Sequence, residues 1–257
     1  MRAAAEDRTS GGAQIARAAA RALGQLEPDR MAEAIELLIR GHPSMAPLWR
    51  LGSDVLSSEG GHAEAIQRLL QGLDRDVLAT QVLADVLPDT VLTISWSSAV
   101  SDSIRRRHPR LVVCMVSDPG GEGRETAAAL AGAADAVQVM EDAEALQAMP
   151  AEAVAVGADA VTSRHVVNKV GTRALAQAAA ASGIPCYVVA GDTKFVAEDL
   201  PIAGPFEPTP LELFTAIAAP GKLCSPAQAR ELARRHPLHP TLVESLDDLR
   251  HRPGHGS

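Results

Sequence analysis

Between residues 91 and 190, five short apolar runs alternate with segments of helical pattern, and this alternation leaves few folds open. The runs are Val91-Leu-Thr-Ile, Leu111–Val116, Ala136–Met140, Ala153–Val156 and Pro185–Ala190. Each is too short for a buried helix, and polar or Gly- and Pro-containing stretches bound them, so they are predicted strands. The segments between them predict helices ending near Arg107, then over Gly123–Ala133, Glu141–Met149 and Lys169–Ser182. Strands that alternate with helices must run parallel, because each crossover brings the chain back to the same edge. Both faces of such a sheet are then covered, which explains why its strands are continuously apolar. The fold class is therefore α/β, with a parallel sheet. Ligands of such sheets bind beyond the carboxyl ends of the strands.

The part before residue 89 reads as helical. Asp7-Arg-Thr-Ser-Gly supplies capping residues for an Ala-rich helix over Ala13–Leu26. A second helix is expected over Met31–Arg40, broken by Gly41-His-Pro, and a third over Met45–Leu56. After Ser57-Ser-Glu-Gly-Gly, the residues Ile66, Leu70, Leu73 and Val77 recur at spacings of three and four. That spacing predicts one long helix ending at Pro88, bridging the two parts. The organisation expected is an N-terminal helical domain over 1–88, a ligand-binding parallel-sheet domain over 89–237, and a weakly ordered tail over 238–257.

Composition excludes several functions. A net charge of −8 argues against a broad nucleic-acid-binding face. No apolar run reaches the roughly 20 residues that span a bilayer, and the charged N-terminus has no signal-peptide core. A cytoplasmic protein without membrane contact is expected. Cys114, Cys186 and Cys224 are far apart and form no CxxC pair, and the histidines show no HExxH spacing. Cys114 and Cys186 lie in strand-like runs, as buried structural thiols do. Neither a metal nor another cofactor is called for. Arginine supplies most of the basic charge, and Lys169, Lys194 and Lys222 are the only lysines. A compact ammonium suits phosphate where a forked guanidinium does not fit, which singles out Lys169 and Lys194.

Polar loops follow the strands. Ser95-Trp-Ser-Ser places hydroxyls before a helix, and Ser97 and Ser98 suit either an anion site or ordinary N-capping. Ser117-Asp-Pro-Gly-Gly-Glu-Gly-Arg reads either as a Gly-rich turn or as a loop allowing close approach of a phosphate, with Arg124 supplying charge. Gly157-Ala-Asp159 sets a carboxylate at a strand terminus, able to handle a hydroxyl or a proton or simply to cap its turn. Asn168-Lys169 is expected to open the next helix, suiting a phosphorylated ligand or a solvent-facing lysine.

Taken together, these segments resemble the initiation factor 2B alpha/beta/delta family, which also contains methylthioribose-1-phosphate and ribose-1,5-bisphosphate isomerases. The resemblance is carried by Asp7-Arg-Thr-Ser-Gly-Gly-Ala, by Val91-Leu-Thr-Ile-Ser-Trp-Ser-Ser-Ala-Val, and above all by the stretch Gly157–Thr172, GADAVTSRHVVNKVGT. Gly183-Ile-Pro-Cys-Tyr-Val-Val-Ala with Thr193-Lys-Phe, and Pro210-Leu-Glu-Leu-Phe-Thr, extend it over almost the whole chain. The resemblance implies a helical domain followed by a Rossmann-like domain, and a homodimer formed through the latter. It implies a small phosphorylated ligand, a sugar or nucleotide, held by Asn168 and Lys169, with Asp159 as acid or base. The isomerases interconvert aldose and ketose 1-phosphates with a Cys and an Asp. Here Ser95 stands in the position of that Cys, and a serine hydroxyl is a far poorer proton donor or acceptor near neutrality. Asp118 stands where the family has Arg, and the loop after Asp159 is one residue short, with Arg164-His165 replacing the family's Asn-Gly turn. The expected function is binding of a phosphorylated ligand without the Cys/Asp chemistry. The alternative is an aldose-1-phosphate isomerase acting through Asp159.

Overall fold

The computed structural model describes residues 1–7, 11–58 and 62–250. Five helices come first: α1 (Arg2–Glu6), α2 (Gly12–Leu23), α3 (Met31–Gly41), α4 (Ala46–Leu56) and α5 (His62–Asp74). Their apolar faces meet in one core that includes Leu23, Leu38, Leu48, Trp49 and Leu69. Arg8, Thr9 and Ser10 of the expected capping segment lie outside the described residues, and Gly11 is the N-cap of α2.

The expected bridging helix is two helices. Arg75 separates α5 from α6 (Asp76–Val86), which changes which residues face inward. Val77, assigned by spacing to the inner face, is 54% exposed. Ala79 and Leu83 instead turn α6 onto the sheet, against Val91, Val100 and Val112.

The remaining elements are β1 (Thr90–Thr93), α7 (Ser98–Arg107), β2 (Leu111–Met115), α8 (Gly123–Ala129), β3 (Ala136–Met140), α9 (Asp142–Ala148), β4 (Ala153–Val156), β5 (Ala160–Val161), β6 (His165–Lys169), α10 (Thr172–Ala181), β7 (Cys186–Val189), β8 (Phe206–Pro210), β9 (Ala216–Ala219), β10 (Lys222–Cys224), α11 (Pro226–Arg234) and α12 (Pro240–Arg250). The main sheet has seven strands in the order β10-β9-β7-β4-β1-β2-β3. All pairs are parallel except β9 with β10. Alternate residues serve opposite faces: Leu92, Val113 and Val154 pack towards α10, while Val91, Val112 and Ala155 pack towards α6 and α7. The direction of winding reverses between β1 and β4, and at such a reversal the loops diverge and leave a crevice.

Two sequence expectations need correction. Asn168 and Lys169 do not open a helix. They end β6, the middle strand of a small antiparallel sheet β5-β6-β8 in which Asn168 faces Glu207 and Lys169 faces Phe206. Gly171, at φ +98°, turns the chain, and α10 starts one residue later. This left-handed turn is open to glycine and costly for residues with a Cβ.

Within the stretch expected to be weakly ordered, Pro240–Arg250 form α12, and 251–257 lie outside the described residues. Leu238, Leu242 and Leu246 bury themselves in the core of the N-terminal helices, and the Ser53 hydroxyl accepts a hydrogen bond from the His239 amide at 2.8 Å. Leu246 is 1% exposed. Leu246→Ala should therefore lose about 2–4 kcal/mol of stability, measured as a lower urea midpoint at unchanged slope. A surface substitution such as Glu244→Ala should shift it by no more than about 0.5 kcal/mol.

Candidate functional site

The crevice at the β1/β4 reversal is lined by Gly12 and Ala13 of α2, Ser97 and Ser98 at the start of α7, Asp159 after β4, Asn168 of β6, Gly191 and Lys194 after β7, and Asp76 of α6. Helical and sheet portions thus build it together. Ser97 caps α7, its hydroxyl accepting from the Val100 amide at 3.3 Å, and it packs directly on Gly157, where no Cβ fits. Capping and cleft lining are one arrangement here, since a capped helix start points its first amides outward.

Asp159 reaches the cleft from a loop fixed on both sides. Its amide donates to the Val167 carbonyl at 2.8 Å, and its carbonyl accepts from the Ala46 amide at 3.0 Å. Asp159 is half-buried and lines the cleft wall. Burial raises its pKa against the opposing pull of Lys194 and His42. The Lys194 ammonium donates to the Ala158 carbonyl. Gly12 leaves the space beside these groups open: a Cβ there would lie 3.3 Å from Asp159 Oδ1 and 3.9 Å from Lys194 Nζ.

Asp76 was not among the residues singled out from the sequence. Burial pushes its pKa up to about 6, against the pull of Lys194 and Arg17. Nothing in Asp76-Val-Leu-Ala marks it as more than a first-turn acidic residue, where carboxylates favour the helix dipole. Only the break at Arg75 turns it inward.

A second cluster adjoins the cleft. Ser95 follows β1 at φ +66°, and its hydroxyl donates to Glu122 Oε1 at 2.8 Å. The same carboxylate oxygen lies 2.7 Å from Lys169 Nζ, and Lys169 also donates to the Pro119 carbonyl. Lys169 is 4% exposed, so it is not a solvent-facing lysine. Ser117, at φ +72°, accepts the Ser95 amide on its hydroxyl at 2.7 Å. Ser95 thus has a partner that its sequence neighbours did not reveal, Glu122 of the Gly-rich loop. Among the described residues, Ser95, Lys169 and Arg124 do not line the cleft that holds Asp159. Arg124 is exposed and pairs with Glu141 at 3.1 Å. Arg164 pairs with Asp199, far along β6 from Asn168. Cys114, Cys186 and Cys224 are free and buried, and burial pushes the thiols of Cys114 and Cys186 up to about 12. They are core residues.

A mostly parallel sheet with a polar crevice at its reversal point, packed against N-terminal helices, defines an α/β fold of one class. Residues 9–203 match the Initiation factor 2 subunit family, and the chain belongs to that family. It is 32% identical over 179 residues to a translation initiation factor eIF-2B subunit 2-like protein of Pyrococcus abyssi, a match covering 65% of this chain and 64% of that relative. Among solved structures it is similar to the Pyrococcus horikoshii translation initiation factor eIF-2B, with 26% identity, a TM-score of 0.74, and coverage of 88% of this chain and 95% of the other. The 5-methylthioribose 1-phosphate isomerase of the same organism shares the fold at 21% identity and a TM-score of 0.63, over 90% and 84% of the two chains. So does a chain of the tetrameric eIF2B-beta2-delta2 complex of C. thermophilum, at 18% identity and a TM-score of 0.68, over 89% and 90%. Among the described residues no helix is long and apolar enough to cross a membrane.

The raised Asp76 gives a test independent of any ligand. A carboxyl group whose pKa rises from 3.8 to about 6 on folding destabilises the native state when ionised. Its contribution is most favourable below pH 3.8 and is lost as pH rises through about 6. Asp76→Asn should therefore be more stable than the parent at pH 7, on the order of 2–3 kcal/mol. The difference should shrink towards zero near pH 4, measured by urea unfolding at both pH values.

Proposed function

We propose that this chain binds a small phosphorylated ligand, a sugar phosphate or a nucleotide, in the crevice at the β1/β4 reversal. It acts through that binding and through contacts between subunits, without the Cys/Asp chemistry of the isomerases. The observation that carries this reading is the convergence of two helix starts, Gly12-Ala13 of α2 and Ser98-Ala99 of α7, with Lys194 on one cleft. The first amides of a helix have no partner within the helix, and with the helix dipole they favour an anion. Among the described residues no side chain caps α2, which leaves its first amides available for a ligand. Asn168 and Asp159 supply polar contacts for the rest of the ligand.

The Ser95 environment supports binding over isomerase chemistry. Its hydroxyl is engaged with Glu122, and that carboxylate also compensates the charge of Lys169. The family's cysteine position is thus part of a closed hydrogen-bonded cluster. The retention of Asp159 in the cleft, with its raised pKa, favours the second reading, an aldose-1-phosphate isomerase with Asp159 as acid or base. We further propose a cytoplasmic homodimer formed through the sheet domain.

A ligand that binds only the folded state stabilises it by mass action, about 2.7 kcal/mol at a hundredfold excess over Kd. Ribose 1-phosphate, ribose 5-phosphate and AMP should be tested for a rise in Tm. At least one should raise it in the parent and fail to do so in Lys194→Ala. NMR of aldose 1-phosphates incubated with the protein should show no ketose product. Absence of any thermal shift would sink the binding reading. Turnover that disappears in Asp159→Asn would establish the isomerase instead.

A further inference from the structure

We propose that Asp76 is a ligand-recognising residue of this cleft, its carboxylate accepting a hydroxyl of the bound ligand at the end away from the phosphate. The inference rests on the reading of the cleft as a phosphorylated-ligand site, and it narrows the ligand to one carrying a hydroxylated body as well as an anionic end.

Asp76 lines the cleft together with Asp159 and Lys194. The Asp192 backbone donates to its carboxylate, while its Oδ1 is buried and has no hydrogen-bond partner among the described residues. Leaving an acceptor unsatisfied away from water costs free energy, more so for a charged group. A Cβ on Gly191 would fall 1.7 Å from that same Oδ1, so the carboxylate rests directly on the backbone of the β7 loop. The ordinary role of an acidic residue in a first helical turn is to favour the helix dipole, and an exposed side chain serves that role equally well. It requires neither burial, nor the glycine opposite, nor a place beside Lys194.

The chemistry of the missing donor follows from charge. Asp76 and Asp159 place two carboxyl groups around the single ammonium of Lys194. A phosphate set against Asp76 would meet like charge in a poorly solvated site. The phosphate therefore belongs with the helix starts and Lys194, and the group facing Asp76 is a donor. On a sugar phosphate or nucleotide that donor is a sugar hydroxyl. A site built around such an acceptor discriminates strongly against ligands lacking the donor, because the acceptor then stays unpaired.

The test is calorimetric titration of parent, Asp76→Ala and Asp76→Asn proteins with D-ribose 5-phosphate and, separately, with inorganic phosphate. The parent should prefer ribose 5-phosphate. Asp76→Ala should weaken ribose 5-phosphate at least tenfold while binding inorganic phosphate as well as the parent or better. Asp76→Asn keeps an acceptor oxygen and should fall between, and its fold is secured by the stability gain expected for it. Equal binding of ribose 5-phosphate by parent and both variants overturns the assignment of Asp76 and leaves the binding site itself standing. So does a parallel loss of both ligands, or a parent without preference for the sugar phosphate. A parent that binds neither probe removes the reading of the cleft and this inference with it.

Discussion

The cleft depends on two loops at the carboxyl edge of the sheet being fixed to a helix of the other half of the molecule. The Ala46 amide, at the start of α4, donates to the Asp159 carbonyl, and the Arg50 guanidinium, one turn later, donates to the Asp192 carbonyl. Both acceptors belong to irregular backbone that no strand neighbour satisfies, and buried carbonyls need partners. By supplying them, α4 sets the height of the loops after β4 and β7 relative to the helical roof. Asp159 and Lys194 then face the start of α2 at fixed separation. A parallel sheet alone would offer the crevice but not its ceiling.

Electrostatics repeats one theme in two places. Lys169 is buried with Glu122, and Lys194 sits near Asp76 and Asp159. Desolvating an ammonium is expensive unless counter-charge lies close. In the first cluster the compensation is complete, with Ser95 and the Pro119 carbonyl closing the network. In the second it is unfinished, because Asp76 Oδ1 lacks a donor. The closed cluster holds the β1 and β2 loops in shape, including the two serines at positive φ. The open one is where a ligand has something to add.

The sheet was legible because a buried parallel strand is an apolar run bounded by turns, and β1, β2, β4 and β7 read so, as does β3 although it is the largely exposed edge strand. β6 was hidden by its own polarity. Asn168 and Lys169 look like a helix entrance, and they are strand residues only because β8, invisible in the Pro-rich 206–210 stretch, pairs beside them. The α12 stretch reads as weakly ordered because its leucines are spaced by polar residues, and the surface they cover belongs to helices far earlier in the chain. At the site, Asp159, Ser97, Ser98, Asn168 and Lys194 were singled out by position after strands or by residue type. Asp76 and Glu122 were not. Each owes its placement to a backbone turn, the break at Arg75 and the turn at Gly120–Gly121, that periodicity does not register.

The return of α12 to the helical core bears on how the chain is made. Leu238, Leu242 and Leu246 complete a hydrophobic surface built mostly from α1 to α5, with Ala160, Val167, Val196 and Leu200 added from the sheet half. While the ribosome is still producing the sheet, that surface has no cover, so the helical half leaves the tunnel with its core open. Contacts of such long sequence separation form late and lower the folding rate. They also leave an apolar face exposed to other chains in the interval.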